Sequence, residues 1–534
     1  MAVSPVRTDA PADVGTTTVD APPPALAETR DTSFFGHPRG LSTLFLTEMW
    51  ERFSYYGIRP LLVLFMSAAL AEGGFGFSRP AASAIVGIYA ASVYLASLPG
   101  GWVADRLLGL RRAIFWGATL IALGHLSIGV SAFARGRTAF FVGLILIVLG
   151  TGLLKPNISA IVGDLYPEGG ARRDAGFAVF YMGINTGGFL GQIASGTLGE
   201  RYGWHLGFGI AGVGMLAGVI TYAIRAPKTL GPIGLDVTRN PDPAVQARQV
   251  ARAKVLIAAG LGALALVVAL ASAGVVALDP QAIGRSMTYV LVALAVAYFV
   301  GIYATGDLAP DEKRRVGVIL VLFVFAAIFW GAFEQAPTSL NLFARDFTDR
   351  RVGSLEVPAT WYQSVNNFFI VVLAPAFAAL WLRLGRAGRE FSAPAKFALG
   401  LLLAGLGFAL MIPAANAIVA SNGTLRVSPW WLVGSYFLQT VGEMLLSPVG
   451  LSSMTKLSPR KYVGQMMGIW FLALSVGNLI AGLVGGSVDP EKLEQTPALF
   501  TGTAVALFAA AVLLALLAVP IRRMMARVPD VAAG

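Results

Sequence analysis

The sequence predicts an all-α membrane protein of fourteen spanning helices. Three observations predict it. First, 56% of the 534 residues are hydrophobic and only 13% are charged, where soluble globular chains carry about 25% charged residues. Second, the apolar residues are gathered into long runs. Residues 140–154 read FFVGLILIVLGTGLL, and 255–278, 316–333, 398–415 and 498–519 are alike. Each approaches or exceeds the ~20 residues that a membrane-spanning helix needs. Third, the basic residues cluster in the short connections between these runs. Lipid offers backbone groups no hydrogen-bond partners, so the runs must be helices, and no alternating barrel pattern is present.

Taken in order, residues 1–38 are rich in Pro, Ala, Thr and Asp, with three prolines at 22–24 and no apolar core of a signal peptide. They read as a disordered tail. Apolar segments follow near 41–71, 82–104, 112–133, 138–163, 174–198, 205–225, 253–275, 286–305, 315–337, 358–383, 396–416, 429–450, 463–487 and 497–521. The first is longer than one span needs and is expected to tilt or bend.

Between the sixth and seventh segments lies a polar stretch, 226–252, with the turn-rich Asn240-Pro241-Asp242-Pro243. Two helices come next, then the charged link Asp311-Glu312-Lys313-Arg314-Arg315, then six more helices. The pattern is six plus two plus six. Two six-helix bundles are the architecture of the major facilitator fold. The expected division is a tail over 1–38, an N-terminal bundle over 39–226, and a linker with two extra helices over 227–312. A C-terminal bundle over 313–523 and a tail over 524–534 complete it.

The formal charge is +11 and the pI about 9.9. No basic-aromatic patch accompanies it, so nucleic acid is not an expected partner. With the N-terminus placed inside, one set of loops collects Arg106, Arg111, Arg112, Arg172, Arg173, Lys313, Arg314, Arg315, Arg383, Arg386, Arg389, Lys396, Lys456, Arg460, Lys461, Arg522, Arg523 and Arg527. The excess of positive residues on that side places both termini in the cytoplasm of a cell-membrane protein. The chain has no cysteine, which excludes disulfides and thiolate metal sites. Neither a His/Glu metal cluster, a nucleophile motif nor a phosphate loop is present, so neither an enzyme nor a cofactor is expected.

Ionisable side chains inside spanning helices cost roughly 2.5–3.5 kcal/mol each on insertion scales, so those retained mark function. The first helix carries Glu48, Glu51, Arg52, Tyr55 and Arg59. At helical spacing these fall on one arc about 100° wide, with Glu48 and Arg52 as i,i+4 partners. The fourth helix holds Lys155, followed by Pro156. Glu334 lies toward the end of the segment 315–337, where an interfacial position is the competing reading, and Glu443 lies near the middle of 429–450. Without the extra pair, the charged helices are the first, fourth, seventh and tenth of twelve, each opening a three-helix unit. In nested repeats these surround one central site. The expected cavity is cationic on its N-terminal side (Arg52, Arg59, Lys155) and anionic on the other (Glu334, Glu443). It suits a zwitterion. Carboxylates that exchange an ion-pair partner for a proton would couple transport to a pH gradient.

The stretch Glu48-x-x-Glu51-Arg52-Phe53-x-Tyr55-Tyr56-Gly57 resembles a signature of the proton-dependent oligopeptide transporter family. Phe180-Tyr181-Met182-Gly183-Ile184-Asn185-Thr186-Gly187 is similar to its second signature. Gly101-x-x-x-Asp105-Arg106-x-x-Gly109-x-Arg111-Arg112 resembles the general facilitator loop motif, with one extra residue before the second glycine. The resemblance implies a monomeric symporter of dipeptides and tripeptides, driven by a proton gradient and working by alternating access in the lipid bilayer. It implies proton coupling at Glu48, Glu51, Arg52, Lys155 and Glu334, and carboxylate recognition at Arg52, Arg59 and Lys155. Asn185, Asn366 and Glu443 would meet the amino end and backbone of the peptide. Tyr55, Tyr56, Tyr94, Trp330 and Trp470 would form aromatic walls, and Asp105 and Arg106 a gate. The chain has Asn366-Asn367 where the family is expected to carry Asn-Pro. A carrier of nitrate, modified peptides or drugs on the same scaffold is the alternative, though nitrate leaves Glu443 without a use.

Overall fold

The protein is described from a computed structural model covering residues 27–134, 137–237, 242–387 and 391–526. Expectations for residues 1–26, 238–241, Arg389 and 527–534 lie outside the described residues.

Fourteen long helices, each of 23 to 33 residues, carry the fold. They are α1 (Arg39–Ser67), α2 (Arg79–Val103), α3 (Leu110–Ala134), α4 (Arg137–Asp164), α5 (Gly170–Tyr202), α6 (Trp204–Thr229) and α7 (Pro243–Ser272). The second seven are α8 (Pro280–Thr305), α9 (Pro310–Phe333), α10 (Trp361–Arg386), α11 (Ala393–Ala420), α12 (Trp430–Leu457), α13 (Val463–Gly485) and α14 (Gln495–Ala526). At 1.5 Å per residue all exceed the ~30 Å of a hydrocarbon core. Among the described residues, 11 helical spans are apolar enough to cross a membrane by composition. The three long helices outside that set are α1, α5 and α12. Two of them, α1 and α12, carry several of the intramembrane charges, and α5 carries a run of glycines.

Helix α9 corrects the expected segment 315–337. After Phe333 the chain does not leave the bundle. It passes Glu334 and Gln335, makes one π-helical turn over Ala336–Leu340, and continues helically over Asn341–Phe347. Pro337 has no N–H to donate, so the regular ladder breaks there. The broken turn survives because it is buried, with Pro337, Thr338, Ser339 and Leu340 all packed inside. Glu334 is thus a buried group at a helix break, not an interfacial one. π-turns inside helices often mark functional sites.

Residues 27–38, expected as tail, are docked. Arg172 donates to the carbonyls of Thr29 (3.1 Å) and Asp31 (3.0 Å). Tyr166 and the buried His37 share a 2.9 Å hydrogen bond. Burial, and then the Arg172 charge, hold the His37 imidazole below its usual pKa, which favours its neutral form.

Small residues set the helix spacing. Gly117 and Gly150 face each other across α3 and α4, as do Gly124 and Gly143. A Cβ at any of them would lie 2.5–2.6 Å from the opposite glycine's carbonyl oxygen. Between α1 and α5 the glycines are four apart. A Cβ at Gly187 would stand 2.1 Å from the Met49 carbonyl oxygen, and one at Gly191 2.2 Å from that of Phe53. Apolar side chains gain little from helix association in lipid, so close backbone approach of this kind supplies the dispersion contact instead.

Two seams join the N-terminal six helices to the C-terminal six: α2 against α13, and α5 against α10. The extra helix α8 lies along the first seam, where Gly284 stands near Leu483 of α13 and Ile88 of α2. Tyr298 of α8 also donates to Gln465 at 3.1 Å. Its companion α7 is exposed over nearly its whole length.

Candidate functional site

The charged arc of α1 is buried as its periodicity predicts. Glu48 is 2% exposed, Glu51 0% and Arg52 3%. Arg52 Nε lies 2.7 Å from Glu48 Oε1 and 2.9 Å from Glu51 Oε2, so one guanidinium serves two carboxylates. Glu48 Oε2 and Glu51 Oε1 accept no hydrogen bond from the described residues. Thr151 and Lys155 of α4 lie within electrostatic reach of Glu51.

Lys155 itself makes no ion pair within 4 Å among the described residues. Its ammonium sits 4.0 Å from the centre of the Tyr94 ring, a cation–π contact that holds the charge near the carboxylates without committing it to one. Where the family resemblance pairs Lys155 with this cluster, the ammonium here lies against the Tyr94 ring instead.

About two turns toward the far end of α1, Arg59 is ion-paired with Glu334 and donates to Asn478 Oδ1 at 2.9 Å. This bond joins α1, α9 and α13. The Tyr55 ring lies between the two arginines, 5.7 Å from Arg52 Cζ and 5.9 Å from Arg59 Cζ. Tyr56 and Tyr89 pack against Tyr55 at 5.2 and 6.1 Å. The Tyr55 and Tyr89 hydroxyls and Trp330 Nε1 are buried polar atoms without a partner among the described residues.

On the other side, Asn366 Nδ2 donates to Glu443 Oε2 (3.1 Å) and Thr440 Oγ1 (2.9 Å). The carboxylate of α12 is therefore oriented by α10. Tyr181 of α5, about half exposed, lies within electrostatic reach of Glu443.

Four expected residues stand apart from this network. Asn185 turns its amide to the Tyr181 carbonyl of its own helix at 3.0 Å. Trp470 packs inside the C-terminal bundle, against Gly450 and 6.5 Å from the Phe397 ring. Its neighbour Phe471 stacks on Tyr94 at 6.4 Å across the seam. Asp105 and Arg106 occupy a π-helical turn at the end of α2 and make no ion pair with the described residues of the other bundle.

The sequence reading missed Tyr89, Tyr181, Asn478, Phe471 and the pair Gln192–Asn367, whose amides meet across the α5–α10 seam at 3.1 Å. Polar residues within apolar helices were the available signal for Gln192, Asn367 and Asn478. Tyr181 lay inside a quoted motif.

The bundles are bonded at one end. Arg79 lies 2.5 Å from Asp346 and donates to the Val488 carbonyl, and Asn341 donates to the Pro60 carbonyl at 2.8 Å. Trp361 donates to Thr197, and Arg201 to the Glu356 carbonyl at 2.6 Å. All lie between the charged centre and the end of the molecule opposite both termini.

A family model described as the POT family matches residues 111–498. The chain is 50% identical over 497 residues to the peptide transporter YePEPT of Yersinia enterocolitica, covering 92% of this chain and 96% of that one. It is 40% identical over 463 residues to a di-/tripeptide transporter of Lactococcus lactis, covering 84% and 89% of the two chains. Among solved structures, it is similar to a POT peptide transporter in complex with alafosfalin, with a TM-score of 0.83 and 40% identity over 92% of this chain and 96% of the other.

Proposed function

This chain belongs to the POT family, whose members are transporters and not enzymes, and on that premise we propose that it carries di- and tripeptides across the cell membrane with protons, by alternating access. One observation carries the reading. Arg52 and Lys155 stand on the N-terminal side of the central site. Glu443, presented by Asn366, stands on the C-terminal side. A short peptide at neutral pH is a zwitterion with a backbone of fixed length. Its carboxylate meets the cations, its ammonium meets Glu443, and its side chains lie among Tyr55, Tyr56, Tyr94 and Trp330. Charge fixes the two ends while aromatic faces tolerate varied side chains. Asn185, Asn366 and Trp470 complete the proposed recognition set.

Protons enter through the same groups. Arg52 balances Glu48 and Glu51 together, so the trio with Lys155 holds two cations and two carboxylates. A proton on one carboxylate frees a cation to bind the peptide carboxylate. Its departure returns that cation to the cluster and releases the peptide. Glu334 is the proposed partner switch on the other bundle. When its bond to Arg59 breaks, so does one tie between the bundles. The basic loops put the termini inside, so the bonded end faces outward and Asp105 and Arg106 belong to the inner gate, unbonded in this state.

The test is uptake of labelled dialanine into proteoliposomes holding only this protein, with an inside-alkaline pH gradient and without one. Accumulation is expected only with the gradient. Folded protein that binds but never accumulates dialanine would sink the reading. Gradient-driven uptake of nitrate, a modified peptide or a drug, without uptake of dialanine, would favour the other substrates.

A further inference from the structure

We infer that Glu200, at the end of α5, is a latch that holds the bundles closed at the end opposite the termini by binding the turn that leads into α10. The observation is one of geometry. Glu200 Oε2 accepts from the Ala359 N–H at 2.8 Å, and Oε1 accepts from the Thr360 N–H at 2.9 Å and the Thr360 hydroxyl at 2.7 Å. Arg350, itself 2.7 Å from Glu356, stands 3.5 Å from Glu200 Oε2. Ala359 and Thr360 are fully buried.

A helix leaves its first N–H groups without intrahelical partners, and a side chain near the start of the same helix usually satisfies them. Here the N–H groups of Trp361, Tyr362 and Gln363 are bonded to the carbonyls of Pro358, Ala359 and Thr360, and Glu200 of the other bundle fixes the turn that presents those carbonyls. Thr360, placed to cap its own helix, spends its hydroxyl on Glu200 instead. The carboxylate also carries the charge that the positive end of a helix favours, and its bonds are charge-assisted. Opening this end of the molecule would part Glu200 from Ala359, Thr360 and Arg350 together, all of them on the C-terminal bundle, and leave its carboxylate without these partners. The contact therefore stabilises the closed state relative to the open one, which is what a latch must do.

Gly196 makes the approach possible. A Cβ there would stand 1.9 Å from Thr360 Oγ1, so any side chain at 196 must turn the threonine away from Glu200. One turn back, Trp361 donates to Thr197 Oγ1 at 3.0 Å. Further down the seam Asn367 donates to Gln192. Asn367 is the neighbour of Asn366, which presents Glu443. The latch is thus the outermost bond of a polar seam that runs inward to the site. Its part in transport rests on the alternating-access reading above, but its part in closure does not.

The chain has no cysteine, so one reporter can be placed without removing others. Ser83 is fully buried on α2, on the other seam, where a Cβ at Gly485 would meet its Cβ at 3.2 Å. Ser83→Cys therefore reports opening of the whole end, not fraying at Glu200. Its reaction with a membrane-impermeant maleimide is expected to be about tenfold faster in Glu200→Ala and in Gly196→Ala than in the parent. Glu200→Gln, which keeps an acceptor oxygen but loses the charge, is expected to fall between. A parental labelling rate in Glu200→Gln and Gly196→Ala, both with parental thermal midpoints, overturns the latch even if Glu200→Ala fails to fold. The measurement needs no peptide, so failure of dialanine uptake by the parent would leave it intact.

Discussion

Lys155→Ala is expected to lower gradient-driven dialanine uptake by about 100-fold, equivalent to ~2.7 kcal/mol at the transport step. Dialanine binding is expected to weaken by about tenfold or less. The asymmetry follows from the position of the lysine. Its ammonium rests on the Tyr94 ring at 4.0 Å, in electrostatic reach of Glu51, Glu48 and Glu334 but in contact with none of them. Arg52 remains in the variant to bind a peptide carboxylate. What is lost is the second cation, without which Glu48 and Glu51 share one guanidinium and cannot both be balanced when ionised. Unpaired buried charge is costly enough to stall the cycle. Uptake into proteoliposomes, run beside equilibrium binding in detergent, separates the two quantities. Driven uptake within twofold of the parent would remove Lys155 from the coupling machinery.

The second large effect is structural. Gly187→Leu is expected to destabilise the fold by about 3 kcal/mol or more, at or above the upper end for overpacking. The new Cβ would lie 2.1 Å from the Met49 carbonyl oxygen and 3.1 Å from Arg52 Cβ. A backbone oxygen cannot rotate away, so α1 must move from α5 and take the Glu48–Glu51–Arg52 cluster with it. Thermal unfolding in detergent, read by the loss of the monodisperse peak, measures the change. Gly209→Leu is the control, since nothing lies within 4 Å of its Cβ position, and it is expected to fall within about 0.5 kcal/mol of the parent. Equal midpoints for the two variants would mean that α1 and α5 do not pack at this distance.

Much of the site was legible because the cost of a buried charge is a local property. Glu48, Glu51, Arg52, Arg59, Lys155 and Glu443 stand out of apolar segments one residue at a time, and helical spacing alone puts the first four on one face of α1. Glu334 was legible as a charge but not as a site. Its segment ends, by composition, at the polar residues after Phe333, and only burial of the π-turn keeps the chain inside the bundle. Trp470 and Phe471 are adjacent aromatics in one apolar run, and nothing in the run tells which of them faces Tyr94. Glu200 carried no signal, since a glutamate at a helix end is ordinary until its partner is known.

The sequence by itself determined that the chain crosses a membrane fourteen times, that its helices group as six, two and six, and which of them carry charge. Each of these follows from the transfer energies of residues and from a helical period, which neighbours in the chain suffice to express. Only the tertiary structure decided which charges touch: Arg52 with two glutamates, Arg59 with Glu334, Asn366 with Glu443, and Glu200 with the start of a helix some 160 residues away. It also decided which end of the molecule is bonded shut. Those outcomes depend on how closely helix backbones approach, and here that distance is set by glycines on one helix meeting carbonyl oxygens on another.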